Sequence, residues 1–167
     1  MYTLMLILKI ILIMLILGID PGSRITGFGI IESNKRKQHY IASGCIKIIG
    51  TDWSLRLKQI YDDLLEIINQ YKPDQISIEK VFVHKNPNSA LKLGQARGAA
   101  IVAAASCGFK VHEYFPRQIK QAVVGYGQAD KQQVQHMVQI LLSLDKMPKA
   151  DPADALAIAM CHGLHIY

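Results

Sequence analysis

From Leu15 onward the rhythm of apolar and polar positions changes several times, and each change marks a predicted element. Leu15 to Ile19 is an unbroken apolar run of strand length, which predicts a strand buried on both faces. Pro21, Gly22 and Ser23 predict a turn. Ile25 to Ile31 and Tyr40 to Ile49 are two further β-rich runs, divided by the polar, basic turn Ser33 to Gln38. Three successive strands with short connections predict an antiparallel meander.

The period then becomes helical. Leu57, Ile60, Tyr61, Leu64, Ile68 and Tyr71 share one face of a helix that Ser54 opens and Pro73 stops. Gln75 to Glu79 reads as a strand, Ser89 to Cys107 as a long helix ended by Gly108, and Lys110 to Tyr114 as a fifth strand. Gln118 to Val124 predicts a short helix. Asp130 is the expected N-cap of a helix over Lys131 to Leu144, with Gln133 at the reciprocal capping position. Asp151 is the expected N-cap of the last helix, with Pro152 at its first position. A second half built strand-helix-strand-helix-strand requires right-handed crossovers and so parallel pairing. The expected fold is α/β, a mixed five-stranded sheet with three antiparallel strands, then parallel ones, and helices on both faces.

Composition narrows the class. At 167 residues, half of them hydrophobic, the chain can bury the core of one domain. The 19 basic and 13 acidic residues leave a net charge of +6, which favours a polyanionic partner without naming it. Cys45, Cys107 and Cys161 form no C-x-x-C pair, so they read as small buried hydrophobes in a reducing cytosol. Tyr2 to Ile19 is nearly all apolar and close to the ~20 residues a membrane span requires. A span here would consume the strand that delivers Asp20. Residues 1–13 are therefore expected to be an apolar N-terminal extension, of the kind an upstream start codon adds. No basic start or small-residue cleavage site marks a signal peptide.

Carboxylates stand where a fold normally avoids them. Asp20 and Glu79 each close an apolar strand, while Asp151 and Asp154, three apart, share one face at a helix start. Gathered on one sheet edge they would repel one another unless cations neutralise them. Oxygen-only ligands select Mg²⁺ or Mn²⁺, and two such ions ~4 Å apart can hold a scissile phosphate. Each residue also has a plainer reading. Asp20 before Pro-Gly suits a turn, Glu79 suits a pair with Lys80 or Lys85, and Asp151 and Asp154 suit helix capping and the helix dipole.

The residues Ile16-Leu17-Gly18-Ile19-Asp20-Pro21-Gly22-Ser23-Arg24-Ile25-Thr26-Gly27 resemble the opening hairpin of the RuvC family of Holliday junction resolvases. The resemblance continues through Ile78-Glu79-Lys80-Val81-Phe82, Asn88 to Gly98, Arg117 to Lys120, Val123 to Gly125, Gln133 to Met137 and Asp151-Pro152-Ala153-Asp154-Ala155-Leu156-Ala157. It runs in order from about Met14 to His162.

This resemblance implies a ribonuclease-H-like nuclease domain over residues 14–165. It implies a cytoplasmic homodimer that resolves four-way DNA junctions by paired, metal-dependent hydrolysis during recombination and repair. The family's four acidic positions fall on Asp20, Glu79, Asp151 and Asp154, expected to hold Mg²⁺ or Mn²⁺ as two ions per subunit. Its basic positions near the active site fall on Lys120 and Lys131, expected to contact DNA, and its base-unstacking aromatic falls on Phe82. A branch-migration helicase complex of the RuvA-RuvB type is the implied partner, and membrane association is disfavoured.

Other residues carry weaker signals. Lys80, Lys85, Arg97 and Arg117 are candidates for the same basic surface. Ala90, Gly94 and Gly98 form a small-residue stripe that permits close approach to the sheet or to a partner helix, and the family dimerises through this helix. Gly22, Gly27 and Gly29 match no phosphate-binding loop. His162 and His165 have metal-ligand spacing but lie at the chain end. Phosphotransferases of the sugar-kinase and actin type also open with an Asp-Gly hairpin, yet they need two domains around a nucleotide. A non-catalytic junction-binding module would not need all four acidic positions.

Overall fold

The computed structural model describes residues 13–34, 37–81 and 86–166. Its strands are β1 (Met14–Asp20), β2 (Ile25–Ser33), β3 (Gln38–Lys47), β4 (Gln75–Glu79) and β5 (Val111–Tyr114). Its helices are α1 (Trp53–Tyr71), α2 (Pro87–Ser106), α3 (Pro116–Val124), α4 (Lys131–Leu141) and α5 (Ala150–His165). The strands form one sheet in the order β3-β2-β1-β4-β5. β1, β2 and β3 pair antiparallel, while β4 lies parallel to β1 and β5 parallel to β4. The expected mixed sheet is therefore present, with the meander on one side and the crossovers on the other.

Each face of the sheet has its own core. One unites Leu17, Ile19, Ile30, Ile76 and Ile78 with Ile60, Leu64 and Ile68 of α1 and the alanines Ala96, Ala100, Ala103 and Ala104 of α2. The other joins Ile16 and Ile31 to α3, α4 and most of α5. From Pro152 to Gly163 only Asp154 escapes full burial. A helix apolar on all sides must be enclosed on all sides. α5 accordingly lies between the sheet and the α3–α4 layer.

Glycines on the strands let α5 come that close. A Cβ at Gly18 would stand 2.1 Å from the Ala155 carbonyl oxygen and 2.6 Å from the Ala159 nitrogen. At Gly27 it would meet the Asp151 carbonyl oxygen at 2.4 Å, and at Gly29 the Leu156 nitrogen at 2.6 Å. Gly18 faces Gly29 across the β1–β2 ladder, and Gly27 faces Asp20. These glycines are the seat of a helix.

Several predicted boundaries move for local reasons. Asp52, not Ser54, caps α1: its Oδ1 accepts from the Leu55 N–H, and Ser54 donates its hydroxyl to the same atom. Asp130 and Gln133 form the expected reciprocal box at α4, both bonds 2.9 Å. α4 ends at Leu141, short of Leu144, because the chain turns through Ser143 at φ 52°. Asp151 is not the N-cap of α5. Lys149 takes that position and Asp151 lies within the first turn, where its carboxylate complements the helix dipole.

Cys45 is exposed, contrary to the expectation for all three cysteines, whereas Cys161 is buried. No helix among the described residues is long and apolar enough to cross a membrane. The expected extension, apart from Ile13, and Phe82 lie outside the described residues.

Candidate active site

The sheet brings the two strand-end carboxylates side by side. β1 and β4 pair in register from Ile16–Gln75 to Ile19–Ile78, so Asp20 and Glu79 are the next step of the same ladder. Strand side chains alternate faces, which puts Asp20 on the face of Gly18 and Glu79 on that of Ser77. Gly18 touches α5, and the Ser77 hydroxyl donates to the Ile158 carbonyl (3.4 Å), so both carboxylates belong to the face that α5 covers. The backbone of Asp151 rests on Gly27, the partner of Asp20. Asp154 is one turn further along α5, and all four residues are half-buried.

The electrostatics follow from this crowding. Burial raises the Asp20 carboxyl, and Asp154, Glu79 and Asp151 raise it further, up to about 8. Glu79 is raised by burial and by Asp154, while Lys131 and Lys120 pull it down. Asp154 is raised by burial and by Asp151, with the same two lysines opposing. At neutral pH the edge therefore holds back a proton at Asp20 unless further positive charge stands beside it.

The two lysines are placed by well-defined elements. Lys131 is the first residue of α4, fixed by the Asp130–Gln133 box, and its Nζ stands 3.8 Å from Asp154 Oδ2. Its side chain remains 78 % exposed, so the pair is a loose surface contact. Lys120 projects from α3, whose Ile119 and Val123 are anchored in the core beside α5.

The donor set of four carboxylates with no thiolate or imidazole among them fits a hard divalent cation. No three of the described His, Cys, Asp and Glu side chains stand close enough together to enclose an ion. The acidic groups share an edge without forming a closed cage, as like charges on a common face do.

Not every candidate cation reaches this edge. Arg97 turns inward: its Nε donates to the Glu79 carbonyl (3.1 Å) and its Nη2 to Glu113, which ties down the end of β4. Lys80 lies 3.8 Å from Glu113 and 4.5 Å from the centre of the Phe115 ring. Arg117 packs against Gly127, and Lys85 is outside the described residues.

Sequence reasoning read Cys45 as a buried hydrophobe and did not single out Lys47 or Lys149, yet all three stand near this edge. Cys45 pairs with Gly27 in the β2–β3 ladder, and its thiol is raised by desolvation and then by Asp151, with Lys149 and Lys47 opposing. The only signal would have been the strand register, which one sequence does not reveal.

His162 is no metal ligand, because both ring nitrogens are spent inside the protein. Burial pushes it down to about 4, so the neutral ring accepts from the Tyr114 hydroxyl at Nδ1 (2.7 Å) and donates from Nε2 to Gln75 Oε1. A base depressed on folding contributes stability above its ordinary pKa of 6.5 and loses it as pH falls toward 4. The expected loss over that window is about 3 kcal/mol at most. Urea unfolding of the wild type and His162→Gln at pH 7 and pH 4.5 checks it: the substitution should flatten the slope, and parallel slopes would refute the assignment.

The family model described as "Crossover junction endodeoxyribonuclease RuvC" matches residues 16–162. The chain is 62 % identical over 148 residues to the crossover junction endodeoxyribonuclease RuvC of Tolumonas auensis, covering 89 % of this chain and 86 % of that protein. Among solved structures it is similar to Thermus thermophilus RuvC in complex with a Holliday junction substrate. That likeness has a TM-score of 0.85 and 34 % identity, covering 91 % of this chain and 94 % of the other. The yeast mitochondrial Holliday junction resolvase Ydc2 shares the fold at 14 % identity and a TM-score of 0.63, covering 91 % and 80 %. A match across almost the whole folded region, with Asp20, Glu79, Asp151 and Asp154 all inside it, shows that this chain belongs to the RuvC family of crossover junction endodeoxyribonucleases.

Proposed function

We propose that Asp20, Glu79, Asp151 and Asp154 are the metal ligands with which this endonuclease resolves four-way DNA junctions in recombination and repair. The observation that carries the assignment is the single half-buried edge where β1, β4 and the first turn of α5 deliver four carboxylates beside two lysines. Bound Mg²⁺, with Mn²⁺ as a substitute and two ions per subunit, supplies Lewis acidity to the scissile phosphate and to the attacking water. The chain's own residues do the rest. The carboxylates hold positive charge where the phosphate must sit, and the enclosed α5 keeps their geometry rigid. Lys131 and Lys120 orient phosphate oxygens as point charges. Phe82 stacks on a base freed near the crossover.

A homodimer suits a substrate that is itself two-fold, since each subunit then addresses one strand of a matching pair. Its support here is α2. Ala96, Ala100, Ala103 and Ala104 of that helix are buried in the core against the sheet, while a Cβ at Gly94 or Gly98 would meet nothing within 4 Å. The small-residue stripe is thus turned away from the chain's own core, with Leu91 and Val102 exposed on the same helix. Gly98→Leu is expected to weaken self-association at least tenfold, or about 1.4 kcal/mol, while leaving the monomer folded. Sedimentation equilibrium reads this directly; an unchanged dimer constant would move the interface elsewhere. A cytoplasmic location and delivery of substrate by a RuvA-RuvB-type helicase complete the reading.

The deciding experiment incubates the purified protein with a synthetic four-way junction and with linear duplex, with and without Mg²⁺. Paired nicks in the junction that require the ion are expected. Cutting without divalent metal, or equal cutting of duplex, would overturn the assignment.

A further inference from the structure

A second concentration of positive charge lies on the sheet face opposite α5, and the chemistry above makes no use of it. Trp53 opens α1 and donates its indole N–H to Gln95 Oε1 of α2 at 2.5 Å. The Arg56 guanidinium lies 5.0 Å from the indole centroid, and the Lys92 ammonium lies 5.8 Å from it. Arg56 also donates from Nη2 to the carbonyl of Ser23, on the turn that leaves Asp20, and its Nε has no partner among the described residues. Arg24 on the same turn is exposed.

Three cations near the strand ends are paired. Lys80 and Arg97 meet Glu113, and Lys131 meets Asp154. Neither Arg56 nor Lys92 forms an ion pair with a described carboxylate. Asp52, the acidic residue next to Trp53, is committed to capping α1. Two cations are therefore held on one indole, neither of them ion-paired with a described carboxylate, beside the turn that follows Asp20. Like charges gathered at that cost in repulsion form a site for an anion.

We propose that Trp53, Arg56 and Lys92 form a second DNA contact, a seat for the phosphate backbone of the junction arm that passes over the turn at residues 21–24; this rests on the junction-resolving reading above. The chemistry selects backbone over base. The indole attracts both cations and its N–H is spent on Gln95, so the ring is a mount for two charges and not a free platform for stacking. Phosphate contacts carry no sequence information, which suits a contact that must hold any arm in register with the cutting edge.

Trp53 is the only tryptophan in the chain, so its emission reports on this patch alone. The test titrates the full-length protein, in EDTA to prevent cutting, with a four-way junction. It follows affinity across a salt series and the quenching of Trp53 by iodide. Saturating junction is expected to shield Trp53 from iodide. Lys92→Ala should weaken junction binding roughly threefold to tenfold and lower the salt slope by about one. Lys92 is exposed, so the variant should fold normally, which its unfolding curve verifies. Unchanged affinity and unchanged iodide access with the junction bound would overturn the proposal while leaving the nuclease reading intact. Shielding that rises with protein concentration in the absence of DNA would assign the patch to a second copy of the chain and overturn it as well. Failure of the wild-type protein to bind junctions at all would instead strike the functional reading, and this contact with it.

Discussion

Asp20→Asn is expected to abolish junction cleavage, on the order of a thousandfold or more, while junction affinity changes by no more than a few-fold. The magnitude follows from the role proposed for the carboxylate. Removing one group that fixes compensating charge at the reacting phosphate acts at this scale. Asp20 is also the most crowded of the four, sharing its ladder edge with Glu79 and its β2 neighbour with Asp151. Asparagine keeps the shape and removes the charge, so folding should survive. Burial first, and then the neighbouring carboxylates, lift Asp20 to about 8, a penalty that a neutral asparagine does not carry, so the melting temperature without added metal should stay level or rise. Binding, in the proposed reading, is delivered by lysines and arginines that the substitution does not touch. Gel-shift titration beside a cleavage time course separates the two effects. Parallel loss of both would mean that Asp20 shapes the DNA-binding surface and is not a metal ligand.

Gly18→Val should be the most damaging substitution in the core. Even a single Cβ at Gly18 would stand 2.1 Å from the Ala155 carbonyl oxygen, and the atoms it meets are mostly backbone of α5, which cannot rotate away as a side chain can. The helix must lift or the strand must bend. Over-packing of this kind costs about 3 kcal/mol or more. The consequence reaches the proposed metal site, because Asp151 and Asp154 ride on the same helix. A shift of about 1 Å in catalytic groups can cost a hundredfold in rate. Denaturant unfolding should show the loss of stability, and any folded fraction should cleave slowly with near-normal Lys120 and Lys131 contacts. Gly94→Ala on α2 is the control: the added methyl meets nothing within 4 Å, and alanine is the better helix former. Wild-type stability in Gly18→Val would refute the helix-seat account.

Much of this was legible in one chain of letters, for a physical reason. Periodicity is local, so the apolar run at Leu15 to Ile19, the helical spacing from Leu57 to Tyr71 and the Asp130–Gln133 box each predicted the element that formed. Charge at the ends of apolar strands is equally local, and it made Asp20 and Glu79 candidates beside their plainer readings as a turn residue and a lysine partner. The order of elements then implied the mixed sheet, because short connections force antiparallel pairing and helical ones force parallel.

What required the tertiary structure was everything set by register and approach. The glycines at 18, 27 and 29 have no visible purpose until α5 is laid across them. Cys45 reads as a buried hydrophobe until β3 is placed at the open edge of the sheet, opposite Gly27. Arg97 and Lys92 look alike in sequence, yet one closes the end of β4 and the other stands over Trp53. The small-residue stripe of α2 suited either the sheet or a partner helix, and only the rotation of the helix turned it away from the sheet. Sequence determines which local conformations are cheap. Which side chains meet across the fold depends on contacts between residues far apart in the chain, whose spacing no local pattern encodes.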